Sequence, residues 1–198
     1  YRNAKIISLN RKIPILKKKK ILIATSSGGL YSHLVLESVI AAGLRNRGIE
    51  VHFLLCKKGL SSCIIPDNHK INEQEYIKNG PKTFCNSCFN VGQKYLNKSG
   101  FEIKFIESAS NEELKRYLDI IEKNLNFESV KQFTYKGIKI GEHAISGTLR
   151  YYKITEYEKE KHFKELIKKY LLSSMVTVDH FNNILKKENY DSIILNHG

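Results

Sequence analysis

The 198-residue sequence has no tryptophan, one methionine and three prolines, and none of its apolar runs is long. A membrane-crossing helix needs about 20 consecutive apolar residues, so the lack of such a run argues against a membrane-spanning protein. We expect no secretory signal peptide, and the sequence shows no internal repeat. We therefore expect a cytoplasmic protein, whose four cysteines are not expected to form disulfides because that compartment is reducing.

Acidic residues are scarce: 20 Asp and Glu stand against 33 Lys and Arg, which gives a net charge of +13. Such a charge suits nucleic acid, an anionic membrane surface or phosphorylated substrates, or merely reflects the basic exposed faces of a lysine-rich chain. No arginine-rich helix and no paired aromatic strand of the RNA-binding type is present, so nucleic acid is not expected as a partner. Peripheral association with anionic lipid stays open.

The apolar pattern predicts a β-α-β unit near the start of the chain. Residues 21–24 form a continuous apolar run, typical of a strand covered on both faces, residues 49–55 read as a second buried strand, and an amphipathic helix separates the two. Further patterns predict a short helix at 91–98, a strand at 101–106 and a helix at 111–124 whose N-cap is Ser110 or Asn111. They also predict helices from Gly141 and at about 156–187, with a break around Ser173 left open, and a strand at 191–196. The sequence therefore predicts a Rossmann-like α/β domain whose mostly parallel sheet is flanked by helices.

The turn between the first strand and the first helix contains Ser26, Ser27, Gly28 and Gly29. It matches neither the G-x-G-x-x-G dinucleotide fingerprint nor the Walker loop. Glycines let the backbone approach a ligand, and a helix start offers free N–H groups to an anion. We therefore expect Ser27, Gly28 and Gly29 to line a ligand site, with a tight turn that binds nothing as the alternative.

His33 falls in the first turn of the predicted helix. A neutral imidazole at such a cleft can accept a proton from an attacking hydroxyl group, and a helix N-terminus keeps the imidazole neutral by lowering its pKa. His33 is therefore the candidate catalytic base. The alternative is a partly exposed histidine that caps the helix or packs against it.

Two further residues are candidates for binding substrate or phosphate. Arg150 can hold a phosphate or carboxylate through two hydrogen bonds, although many helical arginines only extend along the surface. His197 follows the last predicted strand, and in a parallel sheet it would lie at the carboxyl edge near Gly28. The alternative for His197 is a terminal residue without function.

All four cysteines fall within residues 56–92, where the periodicity fails over a length unusual for a loop. Their spacing is Cys56-x6-Cys63-x21-Cys85-x2-Cys88, and the last pair has the separation used for zinc and iron–sulfur clusters. We expect a closed structural zinc site that folds this insert, with an iron–sulfur cluster second and His69 as a substitute ligand. A redox dithiol at Cys85 and Cys88, unligated thiols and disulfides are the alternatives.

Two stretches together resemble a known family. Residues 21–33 read Ile-Leu-Ile-Ala-Thr-Ser-Ser-Gly-Gly-Leu-Tyr-Ser-His, and residues 47–56 read Arg-Gly-Ile-Glu-Val-His-Phe-Leu-Leu-Cys. They resemble the N-terminal domain of two-domain GT-B glycosyltransferases, above all bacterial and archaeal proteins assigned to capsule or surface polysaccharide biosynthesis. The later cysteines and the segment Leu-Asn-His-Gly at 195–198 match the layout of that group. The resemblance does not assign a role to the cysteines.

The resemblance implies one Rossmann-like domain over residues 1–198, cut before a C-terminal domain that binds the nucleotide sugar. It implies sugar transfer from a nucleotide-activated donor to a glycan or lipid-linked acceptor, without a catalytic metal. This domain would hold the acceptor, with His33 as the base. A non-catalytic metal-stapled scaffold or regulatory domain is the alternative function, and an epimerase of similar topology that acts on sugar nucleotides is the third.

Overall fold

A computed structural model of the chain describes residues 19–64, 72–156 and 160–195, so the expectations for His69 and His197 fall outside the described residues. The strands are β1 Lys20–Ser26, β2 Glu50–Cys56, β3 Glu102–Ile106 and β4 Ser192–Ile194. The helices are α1 Tyr31–Arg45, α2 Glu73–Asn79, α3 Lys82–Lys98, α4 Asn111–Asn124, α5 Ile140–Tyr152 and α6 Phe163–Lys187. Within the described ranges, no helix combines the length and the apolar character that a bilayer span requires.

The four strands form one parallel sheet in the order β3-β2-β1-β4. The prediction of an α/β fold with a parallel sheet flanked by helices is confirmed, and the arrangement is compatible with a Rossmann-like fold. The chain moves outward from β1 through β2 to β3, and then returns to the other side of β1 for β4. In open sheets of this kind, ligands bind outside the carboxyl ends of the strands at the point where the order reverses. Here that point lies between β1 and β4.

The sheet buries apolar side chains on both faces. Leu22 and Leu54 belong to a large cluster with α4, α5 and α6, whereas Ile23 and Phe53 belong to a smaller one with α1 and α3. Neighbouring strand residues point to opposite faces, so a strand covered on both sides favours apolar residues at successive positions. This explains the continuous apolar run at residues 21–24, whereas β2 contains the buried His52, whose ring hydrogen-bonds to Tyr190 and Glu50.

Residues 56–92 are more regular than the sequence indicates. Their described part contains α2 and most of α3, and α3 is the crossover helix between β2 and β3. The predicted helix began only at Val91, because the Cys-Asn-Ser-Cys run and Gly92 have low helix propensity. Burial of Phe89 and Leu96 on one face of α3 outweighs that propensity. The cysteine segment is therefore part of the β-α-β architecture rather than an insert without a core.

Two other expectations concern helices. The prediction that Ser110 caps α4 is confirmed, since its side chain and that of Glu113 form a capping box. The break considered around Ser173 is absent, and α6 is continuous there. Ser173 is buried, and hydrogen bonds satisfy its hydroxyl. The hydroxyl accepts a hydrogen bond from the Ser62 N–H at 2.8 Å and pairs with the Ser61 hydroxyl at 3.0 Å. It therefore ties α6 to the loop after β2.

Charged side chains join the amino ends of the strands. Glu188, which follows α6, accepts hydrogen bonds from Lys20 at 2.8 Å and from Lys104 at 2.5 Å. Lys20 also lies 3.0 Å from Glu50. The hydrogen bonds from Lys104 and Lys20 lower the pKa of Glu188 to about 2. This network connects β1, β2 and β3 to the end of α6.

A buried carboxylate holds α6 against its neighbours. Asp179 is 7% exposed and accepts hydrogen bonds from the hydroxyls of Tyr117 and Tyr135, both at 2.9 Å, and from Lys136 at 2.5 Å. Arg116 also contacts it, at 3.3 Å. Burial acts to raise the pKa of Asp179, but the hydrogen bonds from Lys136 and the tyrosines outweigh burial and leave that pKa lowered. The buried charge is thus fully compensated.

Candidate functional site at the carboxyl edge of the sheet

A cavity of about 320 Å³ opens at the carboxyl ends of β1, β2 and β4. Its lining includes the last residues of β1, Cys56 at the end of β2 and Leu195 just after β4. Residues from the loop after β2 and from the start of α3 complete the wall, with Arg150 of α5. The cavity therefore lies where the strand order reverses, which is the usual ligand position in such sheets.

The cavity brings together six of the residues singled out in the sequence. These are Ser27, Cys56, Cys63, Cys85, Cys88 and Arg150. Gly28, Gly29 and His33 are not among its lining residues, and His197 lies outside the described residues. The structure thus groups the thiols with Ser27 and Arg150, and Gly28 and Gly29 directly follow Ser27 in the loop.

The glycines of the loop contact α3. A Cβ atom at Gly28 would lie 2.5 Å from the carbonyl oxygen of Cys88 and 2.8 Å from the Cα of Gly92, closer than side chains tolerate. Gly29 donates its N–H to the Cys88 sulfur at 3.0 Å. Close packing therefore accounts for Gly28, and the role of both glycines in binding a ligand stays a prediction.

His33 lies in the first turn of α1, as predicted, and is half buried. The sequence did not indicate another polar contact made by α1. Glu37, which is 4% exposed, accepts a hydrogen bond from the hydroxyl of Thr25, and Thr25 lines the cavity. The available signal was the position of Glu37 on the stripe between Leu34 and Ala41, both buried. An acidic residue on a buried stripe needs a partner, and Thr25 supplies one.

Two lining residues have strained backbones. Ser26 has φ 60° and Lys58 has φ 63°, in the left-handed region that costs a residue with a side chain roughly 1–2 kcal/mol. The pairing of β1 with β2 is irregular between Ile23 and Ser26. Strain of this kind persists where the surroundings enforce it, and it concentrates at ligand sites. Lys136 and Lys153 also have positive φ values, 50° and 58°, and are not part of this lining, so two of the four such residues in the described part of the chain line the cavity.

The Ser27 hydroxyl is an unsatisfied polar atom. Its oxygen is fully buried, and no group in the described part of the chain forms a hydrogen bond with it. A buried hydroxyl without a partner costs roughly 1–3 kcal/mol, which a bound ligand or an ordered water would recover. Lys58 and Arg150 add positive charge to a lining that also contains apolar residues such as Leu60 and Phe84. The cavity thus suits a partly apolar ligand with an anionic or hydroxylated group.

The four thiols surround the cavity without converging on a point. Cys56 ends β2, Cys63 follows in the loop, and Cys85 and Cys88 lie one turn apart on α3. The described residues contain no three of these sulfurs within 4.8 Å of one another. In a tetrahedral zinc site with Zn–S bonds of about 2.3 Å, the sulfurs lie about 3.8 Å apart. The arrangement is therefore wider than a closed zinc site.

Burial and mutual proximity act on the thiols. Burial, with smaller contributions from Cys56 and Cys88, raises the pKa of Cys85 to about 11. Burial also raises the pKa of Cys56, although the backbone N–H groups of Gly59, Lys58 and Leu60 partly offset this. A reactive dithiol requires a lowered pKa at its attacking cysteine. The environment of Cys85 therefore disfavours the redox-dithiol alternative.

A second group with metal-binding side chains lies at the opposite edge of the sheet. Glu50, His52 and Glu102 place one ligand atom each within 4.8 Å of the others. Lys20 lies 3.0 Å from Glu50, and Lys104 lies 2.7 Å from Glu102, so ammonium groups already neutralise both carboxylates. This cluster is accounted for as an ion-pair network that joins three strands.

No known protein family, curated protein or solved structure matches this chain. The function of the chain is therefore inferred from its fold and from the residues of the cavity.

Proposed function

We propose that the chain forms the acceptor-side half of a glycosyltransferase. The enzyme would transfer a sugar from a nucleotide-activated donor to a glycan or lipid-linked acceptor in the synthesis of a surface polysaccharide. The observation that carries this proposal is the cavity at the switch point of a parallel sheet with the order β3-β2-β1-β4. The resemblance of residues 21–56 to GT-B N-terminal domains supports the reaction class.

The chemistry of the cavity fits an acceptor of this kind. Lys58 and Arg150 offer positive charge to a phosphate, as on a lipid-linked acceptor, and Ser27 offers a hydroxyl that lacks a described partner. Apolar side chains such as Leu60 and Leu195 can pack against a sugar ring or a lipid chain. The net charge of +13 favours both a phosphorylated acceptor and a membrane surface that carries it.

In the proposed reaction an acceptor hydroxyl attacks the anomeric carbon of the donor. The new glycosidic bond forms as the bond to the nucleotide diphosphate breaks, and the proton of the hydroxyl passes to His33. His33 lies in the first turn of the helix that follows the cavity loop, six residues after Ser27. Nucleotide diphosphate leaves with the electrons of the broken bond.

The test is nucleotide release by the full-length protein from a panel of nucleotide sugars, with a lipid-linked acceptor. Replacing a general base typically costs 10²- to 10⁴-fold, so His33→Asn is expected to lower kcat within about that range while circular dichroism stays unchanged. His143→Asn is the matched control, because His143 is exposed on α5. Unchanged turnover in His33→Asn would refute the base assignment, and a wild-type protein that releases no nucleotide would refute the reaction class.

A second candidate function is a non-catalytic domain stabilised by a metal centre. The observation in its favour is that all four cysteines line one cavity. It predicts a stoichiometrically bound metal, together with no sugar-nucleotide turnover by the full-length protein. Elemental analysis and the nucleotide-release assay on the same preparation separate the two functions.

A further inference from the structure

We infer that the four cysteines hold a [4Fe–4S] cluster in the cavity rather than a single zinc ion. The inference is independent of sugar transfer, since it concerns the thiols alone. The spacing of the sulfurs is its first support. No three of them lie within 4.8 Å of one another, whereas one zinc ion requires all four at about 3.8 Å. A cubane cluster places four irons and four sulfides between its cysteines, and so requires them farther apart.

The cavity that the thiols line is the second support. It has a volume of about 320 Å³ and is lined by the four cysteines together with other residues. A zinc ion bonds directly to each of its four sulfurs, whereas a cluster adds an inorganic core and needs free space beside the thiols. The cavity supplies such space.

The positions of the thiols are fixed by regular structure. Cys56 pairs with Ile106 of β3, and Cys85 and Cys88 share a face of α3 because they are three residues apart. Cys63 is held in its loop by two tyrosines: its N–H donates to the Tyr76 hydroxyl at 3.3 Å, and its carbonyl accepts from Tyr170 at 3.4 Å. The backbone that carries the four sulfurs is thus held by a strand, a helix and a hydrogen-bonded loop.

Backbone N–H groups are directed at two of the sulfurs. Gly29 donates its N–H to Cys88, and the backbone N–H groups of residues 58–60 form hydrogen bonds to the Cys56 sulfur. Hydrogen bonds from N–H groups to ligand sulfurs are a general means by which proteins stabilise metal–thiolate centres and tune their potentials. Lys58 and Arg150 on the same lining offset the net negative charge of a cluster with four thiolates.

The cluster and an acceptor can share the cavity. The thiols come from the end of β2, its loop and α3, whereas Ser27, Leu195 and Arg150 come from β1, the end of β4 and α5. Since β1 lies between β2 and β4, the two sets approach from different sides. The cluster then forms one wall, and the polar residues at the switch point remain available to a ligand.

The experiment measures iron, acid-labile sulfide and zinc in the wild-type protein, purified without oxygen or chelators and then reconstituted with ferrous iron and sulfide. A [4Fe–4S] cluster predicts about four irons and four sulfides per chain, visible charge-transfer absorption and an electron paramagnetic resonance signal after reduction. One tightly bound zinc per chain without sulfide would overturn the inference. Failure to take up either metal would also overturn it.

Variants identify the ligands. Cys56→Ser, Cys63→Ser, Cys85→Ser and Cys88→Ser are each expected to lower the cluster content several-fold, whereas Ser87→Ala, exposed between two of the cysteines, keeps it. Full cluster content in any one of the cysteine variants would contradict a four-cysteine site. If the cysteine variants fail to fold, the iron and sulfide count on the wild type still decides. Nucleotide release has no part in this measurement, so failure of the cluster and failure of sugar transfer remain distinguishable.

Discussion

Gly28 and Gly92 touch backbone to backbone: a Cβ atom on Gly28 would lie 2.8 Å from the Cα of Gly92, and one on Gly92 would lie 2.7 Å from the Cα of Gly28. This contact sets the loop after β1 directly against α3. It also places the N–H of Gly29 at 3.0 Å from the sulfur of Cys88. The relation of the loop to the thiols therefore depends on two glycines that are far apart in sequence.

Substitution of Gly28 tests this contact. Gly28→Ala is expected to destabilise the protein by roughly 1–3 kcal/mol, since the nearest atoms belong to backbone that must shift. Gly43→Ala is the matched control within α1, because nothing lies within 4 Å of its added Cβ, and it should stabilise the helix by roughly 0.5–1 kcal/mol. Urea unfolding gives both values. A Gly28→Ala protein as stable as the wild type would show that the loop does not pack as described.

Removal of the Ser27 hydroxyl separates stability from binding. Ser27→Ala deletes a buried oxygen without a described partner, so the free energy of unfolding without ligand should stay level or rise by up to about 1 kcal/mol. Ser62→Ala is the contrasting variant, because its buried hydroxyl donates to Ser173 at 3.2 Å, and it should lose roughly 1 kcal/mol. We expect Ser27→Ala to weaken acceptor binding in titration calorimetry by about tenfold, the value of one hydrogen bond. Unchanged acceptor affinity would remove Ser27 from the binding site.

Neutralising Asp179 should be costly. Asp179→Asn weakens the hydrogen bonds from two tyrosines and leaves Lys136 without its carboxylate, which predicts a loss of roughly 2–4 kcal/mol in thermal or urea unfolding. Asp119→Asn on the exposed face of α4 is the control and should change stability by no more than about 0.5 kcal/mol. Equal effects from the two substitutions would mean that the buried network contributes nothing specific.

The Glu188 network should give the protein an acid-sensitive component of stability. The pKa of Glu188 is lowered to about 2 from an ordinary value of 4.5, so its contribution is complete above pH 4.5 and is lost as the pH falls toward 2. Glu188→Gln should therefore lower the free energy of unfolding by roughly 1 kcal/mol at neutral pH and low salt, and the difference should vanish near pH 2. Exposed Glu122→Gln is the control. A difference between Glu188→Gln and wild type that does not vary with pH would reject this origin.

Strand β1 could be predicted from the sequence because burial on both faces leaves the continuous apolar run at residues 21–24, and its parallel pairing with β2 follows from the helix between them. The start of α3 could not, since Asn86, Ser87 and Gly92 are poor helix formers and the burial that compensates them is tertiary. For α1, the sequence predicts a buried face that is broader than the observed one. The apolar residues of this helix include both Val39 and Ala41, yet Val39 is exposed and Ala41 is buried, because the sheet covers only part of the apolar face.

Some residues of the candidate site could likewise be predicted from the sequence, and others could not. Cys56 and Ser27 could be placed at the carboxyl edge because each follows a predicted parallel strand. The approach of Cys85 depends on how α3 packs, and the pairing of Thr25 with Glu37 depends on how α1 packs. Local sequence does not encode either contact. The spacing of the cysteines in the sequence also could not distinguish a compact zinc site from an arrangement in which no three sulfurs lie within 4.8 Å of one another.

The ion pairs at the amino ends of the strands have a consequence for how the sheet moves. Lys20 is held there by Glu50, Glu188 and, through its backbone N–H, by Asp191 at 2.8 Å. At the other end the pairing of β1 with β2 becomes irregular before Ser26. The ion pairs therefore restrain one end of the sheet, and we expect amide hydrogens to exchange faster at the carboxyl end of β1, where the ladder is interrupted. The cavity lies at that end, so hydrogen exchange measured there with and without a ligand would report on binding.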